Sequence, residues 1–596
     1  MKRTRSATIV LALAGLAGGT TAAPTTAGTP ARVGAAADTA RAAHLLSRAT
    51  FGFRPADLER VLRDGESAWL EQQLHPDRLD DSALEPRLAR FPAALASVAE
   101  LFRDYPATPP APDSMRARPQ PDSMAVDRAQ VTPEQRRQMA QRAPARILGD
   151  LVGAKLVRAV HSERQLEAVM TDFWFNHFNI FWGKGADRYL VGDYERTAIR
   201  PYVFGRFEDM LRATARHPAM LFYLDNWTSA APDPEADRVA EAQRRAAARR
   251  LESMTRQQKE RLARRRGVTV EQLDALAQTA AGPALRRRGI NENYARELLE
   301  LHTLGVDGGY TQEDVVGVAR AFTGWTMNPP RPGGAGRVGA GGGGRGEEIG
   351  FVFRAAMHDG GEKRVLGRTL ASGRGLEDGE DVLHLVARHP ATARHIARKL
   401  VERFVSDGPD ADLVAELAAV FERTGGDLRS VTRALFTSER FYAESNRGAK
   451  VKPPFLLVTS ALRATGAEVG PSRRLVETLR GLGQVPYMEP APTGYPAVSE
   501  AWVNSGSMLN RMNFAVALAG GRLDGIRIDV ARFGARPGEA WLEPAVAGIL
   551  PATPRAALLA GIRADLEEQA QAGAGPRALA ARAIGLTLGS PEFQRH

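Results

Sequence analysis

From residue 40 to residue 519 the chain repeats one pattern: apolar side chains return every three or four positions. This spacing puts them on one stripe of a helix. The stretches are 40–62, 145–161, 163–178, 208–214, 293–304, 311–323, 379–404, 410–424, 428–436, 456–464 and 507–519. Period-two alternation, which a half-buried strand needs, is scarce, and residues 350–354 are the best case. A helix with one apolar stripe must bury it against another helix. The expected fold is mainly α, a multi-helix assembly with few short strands and long insertions. Three segments interrupt the pattern. Residues 106–133 are rich in Pro, Asp and Met and read as a loop insertion, and 235–281 read as an Arg-rich helical insertion. Residues 329–347 read as a Gly-rich linker. Its Gly339 to Gly344 string fits a dinucleotide fingerprint in letters alone, because no strand precedes it and no helix follows.

The chain has 596 residues and no Cys, which excludes disulfides, thiolate metal sites and cysteine nucleophiles. Of the formal charge of +11, residues 235–288 supply +7, with 14 basic and 7 acidic side chains. The excess is therefore local, and a nucleic-acid partner is not expected. Lys2, Arg3 and Arg5 precede an apolar run at 7–17, and Thr21-Ala22-Ala23 matches a small-x-small cleavage site. Residues 1–23 thus read as a signal peptide, too short in its apolar part to span a bilayer. Residues 24–38 read as a flexible lead-in, 39–520 as the helical core and 521–596 as a C-terminal helical extension. The expected location is periplasmic or extracellular, with no transmembrane segment after cleavage.

Four clusters carry side chains capable of chemistry. In Asn291-Glu292-Asn293-Tyr294-Ala295-Arg296-Glu297-Leu298-Leu299-Glu300-Leu301-His302, residues Asn293, Glu297 and Glu300 form a polar helical stripe. Such a stripe serves a hard cation or acid–base carboxylates, and it equally suits a solvated helix face. Next, Thr311 and Asp314 form a capping box, and Arg320 further along that helix is expected to pair with a stripe carboxylate. The second cluster, Asp172-Phe173-Trp174-Phe175-Asn176-His177-Phe178-Asn179, surrounds an imidazole with aromatic rings. The third is His358-Asp359, either a metal or catalytic pair or an exposed turn. The last runs from Tyr495-Pro496 through Trp502 to Arg511, where rings and Pro suit stacking of a sugar or a packed loop.

These segments, with Leu45-Leu46-Ser47-Arg48-Ala49-Thr50-Phe51-Gly52-Phe53, Thr323-Gly324-Trp325, Val451-Lys452-Pro453-Pro454-Phe455 and Gly494-Tyr495-Pro496, resemble the bacterial domain-of-unknown-function family 1800. The likeness covers residues 40–520. It implies an exported, mainly helical protein and brings no activity with it.

Two functions follow as expectations. One is a hydrolase or lyase on an extracellular polysaccharide, with Glu297 or Glu300 as base, His177 as proton donor and Arg320 as charge partner. A divalent cation is the cofactor such groups would take, through His302, His358 and Asp359. Trp174, Asn176, Tyr310, Trp325, Tyr495, Trp502 and Arg511 would bind substrate. The other is a non-catalytic envelope scaffold or binding protein, partnered by a polysaccharide or an envelope protein, in which these residues form a buried polar network.

Overall fold

The computed structural model describes residues 30–105, 133–232, 242, 246, 249–266, 269–271, 289–328, 349–472, 474–533, 541–550 and 555–596. The leader, most of the 106–133 insertion and the Gly-rich segment lie outside these residues, and the Arg-rich insertion lies partly outside them. Within them the fold is mainly α, as the apolar spacing requires, with three two-stranded antiparallel sheets. One strand, Phe351–Phe353, falls where the sequence placed it and pairs with Trp325–Met327.

Helix starts follow local chemistry. Thr311 caps Gln312–Ala321 through the Asp314 amide, and Asp314 returns the bond to the Thr311 amide at 2.8 Å. Pro55 opens Pro55–Asp64, where a fixed φ and a missing N–H cost nothing. Two helices begin with the same letters, Arg-His-Pro-Ala, at 216–219 and 388–391. In each the His Nδ1 accepts from the second helical amide, Ala219 at 3.1 Å and Ala391 at 3.2 Å, while Pro fills the first position.

Three expected helices differ, the 379–404 stretch being two, Glu377–Ala387 and Pro390–Phe404. The 40–62 stretch is two helices, Pro30–Ala49 and Pro55–Asp64, broken at Phe51-Gly52-Phe53. Gly52 takes φ +109° there, and a Cβ on it would lie 2.4 Å from the Ser460 Cβ, so only glycine fits. The first helix also begins inside the supposed lead-in, because its Ala35-Ala36-Ala37 run favours helix. The 293–304 stretch is α only over Glu292–Glu297 and then widens into a π-helix, Leu298–Thr303.

The apolar stripes meet in one contiguous core, into which the Gln165–His177, Pro390–Phe404 and Pro454–Ala464 helices all send side chains. The first described helix and the residues before 596 join this body. Arg41 donates to Glu439 at 2.9 and 3.0 Å, and the Lys452 amide donates to the Gln594 carbonyl at 2.9 Å.

A cationic cleft with neutral histidines

A cavity of about 580 Å³ opens between the Gln165–His177 and Pro390–Phe404 helices and the 484–497 loop. Its roof is this loop, held by side chains of the aromatic cluster. Asn176 Nδ2 donates to the Tyr495 carbonyl at 2.8 Å and Asn176 Oδ1 accepts from the Tyr495 amide at 2.7 Å. Asn179 Nδ2 donates to the Glu489 and Ala491 carbonyls at 3.0 and 2.8 Å. These amides serve as clasps. Gly494 makes the clasp close enough: at φ +72°, an added Cβ would stand 2.3 Å from the Asn176 carbonyl oxygen. Gly494→Ala is therefore expected to lower stability by about 1–3 kcal/mol and to loosen the roof. Thermal unfolding and protease sensitivity at 484–497 check this, and an unchanged melting temperature contradicts it.

The floor is a buried ion cluster. Lys155 Nζ lies 2.8 Å from Glu195 and 3.1 Å from Asp172, and Arg200 reaches Glu195 at 2.7 Å. The Tyr487 hydroxyl donates to Glu195 at 3.0 Å. Burial pushes the Glu195 carboxyl up, but Lys155 and Arg200 outweigh it and hold the group at about 2.

One wall comes from Pro390–Phe404. His395, Lys399 and Arg403 recur there at every fourth position, on one helical face, and all three line the cleft. Lys399 and Arg403 are half-buried and form no ion pair or side-chain hydrogen bond among the described residues. Burial lowers the proton affinity of both, opposed only through space by Glu402 for Lys399 and Asp172 for Arg403.

Behind this wall the π-helix leaves carbonyls outside regular pairing, and two imidazoles reach them. His395 Nε2 is 3.1 Å from the Leu301 carbonyl, and His177 Nε2 is 3.1 Å from the His302 carbonyl. A carbonyl only accepts, so both rings carry their proton on Nε2. Burial holds His302 at about 3 and His395 at about 4, with Lys399 repelling in each case, and puts His177 well below the ordinary range. The three rings are neutral at pH 7.

The sequence candidates therefore divide. Asn176, His177 and Tyr495 line the cleft, while Glu297 and Glu300 are not among its lining residues. Glu297 is half-buried, its carboxyl pushed up by burial and then by Glu300. Tyr310 stands beside them, its hydroxyl pushed up by burial and then by Glu300. The expected pairing of Arg320 with this stripe does not form; its guanidinium forks onto Asp359 at 2.7 and 3.1 Å. The Asp359 turn lies within hydrogen-bond reach of Arg320 and takes the guanidinium in a two-pronged contact. His358 joins a separate buried network, with Nδ1 2.8 Å from the Thr323 carbonyl and Nε2 3.3 Å from Asp378. Asp378 is also gripped by Lys363 at 2.7 Å. His302 lies in the core beside His177, away from His358 and Asp359, so these three form no shared ligand shell. Among the described residues, no group of three or more His, Asp or Glu is placed to hold a metal ion. Trp174 and Trp325 are fully buried core rings, Trp502 Nε1 donates to the Pro496 carbonyl at 3.1 Å, and Arg511 is buried near Gln594.

Sequence reasoning missed Lys155, His395, Lys399 and Arg403. The fourfold spacing of the last three was visible, but any solvated helix face shows similar spacing.

A protein-family model described as "Protein of unknown function (DUF1800)" matches residues 44–595, so the stretch after 520 falls within the matched span. No curated protein and no solved structure matches the chain.

Proposed function

We propose, from the premise that this chain belongs to the DUF1800 family, that it is an exported binding protein whose cleft holds an anionic segment of an extracellular polysaccharide. One observation carries the reading: Lys399 and Arg403 face the cavity with no carboxylate within ion-pair distance among the described residues. Burying a cation without a partner costs free energy, so such a pair weakens the fold unless a ligand supplies the charge. Phe173, Phe175, Phe455 and Tyr495 line the same space, and aromatic faces suit the apolar faces of sugar rings. Glu297 and Glu300, on which the expected hydrolytic pair would rest, lie outside the lining, and of the carboxylates within it (Asp172, Glu402 and Glu489) Asp172 is held by Lys155. The leader supports export, and among the described residues no helix is long and apolar enough to cross a membrane.

Calorimetric titration with oligogalacturonate, a sulfated dextran and neutral dextran tests the proposal. Acidic chains are expected to bind with an affinity that falls as salt rises, and neutral dextran is not. Lys399→Met and Arg403→Met should each weaken binding at least tenfold while leaving the melting temperature equal or higher. Equal binding of neutral dextran, or full binding by both variants, would overturn the reading.

A further inference from the structure

Cations are not the only charges that line the cleft. Three carboxylates share it, and each has a different setting. Asp172 is held by Lys155 at 3.1 Å. Glu402 lies on the wall helix within a turn of Lys399, and through space it opposes the effect of burial on that ammonium. Glu489 belongs to the roof, and no cation stands within ion-pair distance of it among the described residues.

Glu489 is fixed through both its backbone and its side chain. Its carbonyl accepts from Asn179 Nδ2 at 3.0 Å, and its Oε1 accepts from the Ala491 amide at 3.2 Å. The next carbonyl, of Pro490, accepts from the Tyr223 hydroxyl at 2.8 Å. Among the described residues Glu489 Oε2 has no hydrogen-bond partner, so one oxygen orients the group and the other is left to bind. Burial, with Glu489 adding to it, pushes the Tyr495 hydroxyl up to about 12, which puts the carboxylate near a ring that also lines the cavity. A carboxylate already fixed in place loses little freedom when a donor reaches it. The cavity of about 580 Å³ thus presents Lys399 and Arg403 from its wall and Glu489 from its roof. A ligand with acidic groups alone would satisfy the wall and meet repulsion at the roof.

We propose that the chain held in this cleft carries free primary amines as well as acidic groups: an acidic polysaccharide with unsubstituted amino sugars, one ammonium of which Glu489 binds. The proposal rests on the reading of the cleft as a site for an anionic segment, and narrows it. A bare divalent ion is a poorer match for Glu489, because such an ion collects several oxygen ligands. Among the described residues no group of three or more His, Asp or Glu is placed to hold one. An ammonium needs one carboxylate oxygen and can give its other protons to water.

The probes are hyaluronan oligosaccharides and the same oligosaccharides after removal of their N-acetyl groups, titrated calorimetrically into the full chain at pH 6.5. The de-N-acetylated form has the smaller net negative charge, so the wall alone would bind it more weakly. It is expected to bind at least tenfold more tightly than the acetylated form. Glu489→Gln keeps the Oε1 acceptor for the Ala491 amide and should melt at the same temperature as the parent. That variant should lose the tenfold gain, and it should bind the acetylated form more tightly, since the repulsion at the roof is gone. Lys399→Met should weaken both forms. If the acetylated form binds and the de-N-acetylated form binds no more tightly, or if Glu489→Gln keeps the full gain, this proposal is overturned and the anionic-chain reading stands. Failure of both forms to bind would overturn the two together.

Discussion

Lowering the pH from 6.5 towards 5 is expected to destabilise this protein steeply, by about 1.4 kcal/mol per pH unit for each histidine buried in neutral form. His177, His302 and His395 sit around the π-turn with folded-state proton affinities far below the ordinary 6.5. A depressed affinity stabilises the fold above the unfolded value and loses that contribution as pH falls through the window beneath it. For His302 the window runs from 6.5 to about 3, and for His395 from 6.5 to about 4. Together the three contribute a slope of about 4 kcal/mol per pH unit while the unfolded chain takes up protons that the folded chain refuses. His44 and His161 act in the same direction, held at about 3 and about 4 by burial. Asp187 acts oppositely, because burial without a hydrogen-bond partner keeps its carboxyl protonated well above the usual range. Urea unfolding at half-unit pH steps reads the net slope, and His302→Gln should reduce it by about 1.4 kcal/mol per unit. A flat profile between pH 6.5 and 5 would refute the assignment of neutral imidazoles.

Exchanging Lys155 for Met is expected to lower stability by about 3–5 kcal/mol, the cost of breaking a buried ion pair by removing one partner. Glu195 would retain Arg200 and the Tyr487 hydroxyl, and Asp172 would lose its cation at ion-pair distance and keep only Arg403 through space. The carboxyl at Glu195, now held at about 2, would move upward. Its stabilising contribution, present above the unfolded value of 4.5 and lost on acidification, would then vanish at a higher pH. Denaturant unfolding at pH 7 measures the first effect, and the acid midpoint measures the second. Lys155→Met/Glu195→Gln should recover part of the loss, since the pair is then removed together. A single variant as stable as the parent would show that the floor of the cleft does not rest on this pair.

How far the sequence carried can be judged residue by residue. Asn176, His177 and Tyr495 stood out as polar or amphipathic side chains set among aromatic and proline residues, and they share the cleft. Thr311 and Asp314 announced their helix start because a capping box is a matter of four consecutive residues. Glu297 and Glu300 were grouped by helical spacing and stand together, whereas Arg320, expected to pair with them from the next helix, forks onto Asp359. The widening at Leu298–Thr303 was not foreseen either. No local signal in the letters marked that widening. Its support comes from His177 and His395, whose rings arrive from helices 125 and 94 residues away.

Lys399 and Arg403 illustrate the same limit from the other side. Their spacing could be read, but whether a cation faces water or a cavity depends on what packs against the helix, and a stripe of charges is identical in both cases.

The order of residues alone settled the helical class and the capped start at Thr311, because each is fixed by neighbours within a turn or two, and composition alone settled the absence of thiol chemistry. Which charges are matched, which imidazoles stay neutral and where a hollow opens were settled only when distant segments met. Those properties depend on distance and exclusion of water, and contacts separated by hundreds of residues leave no periodic trace in the chain.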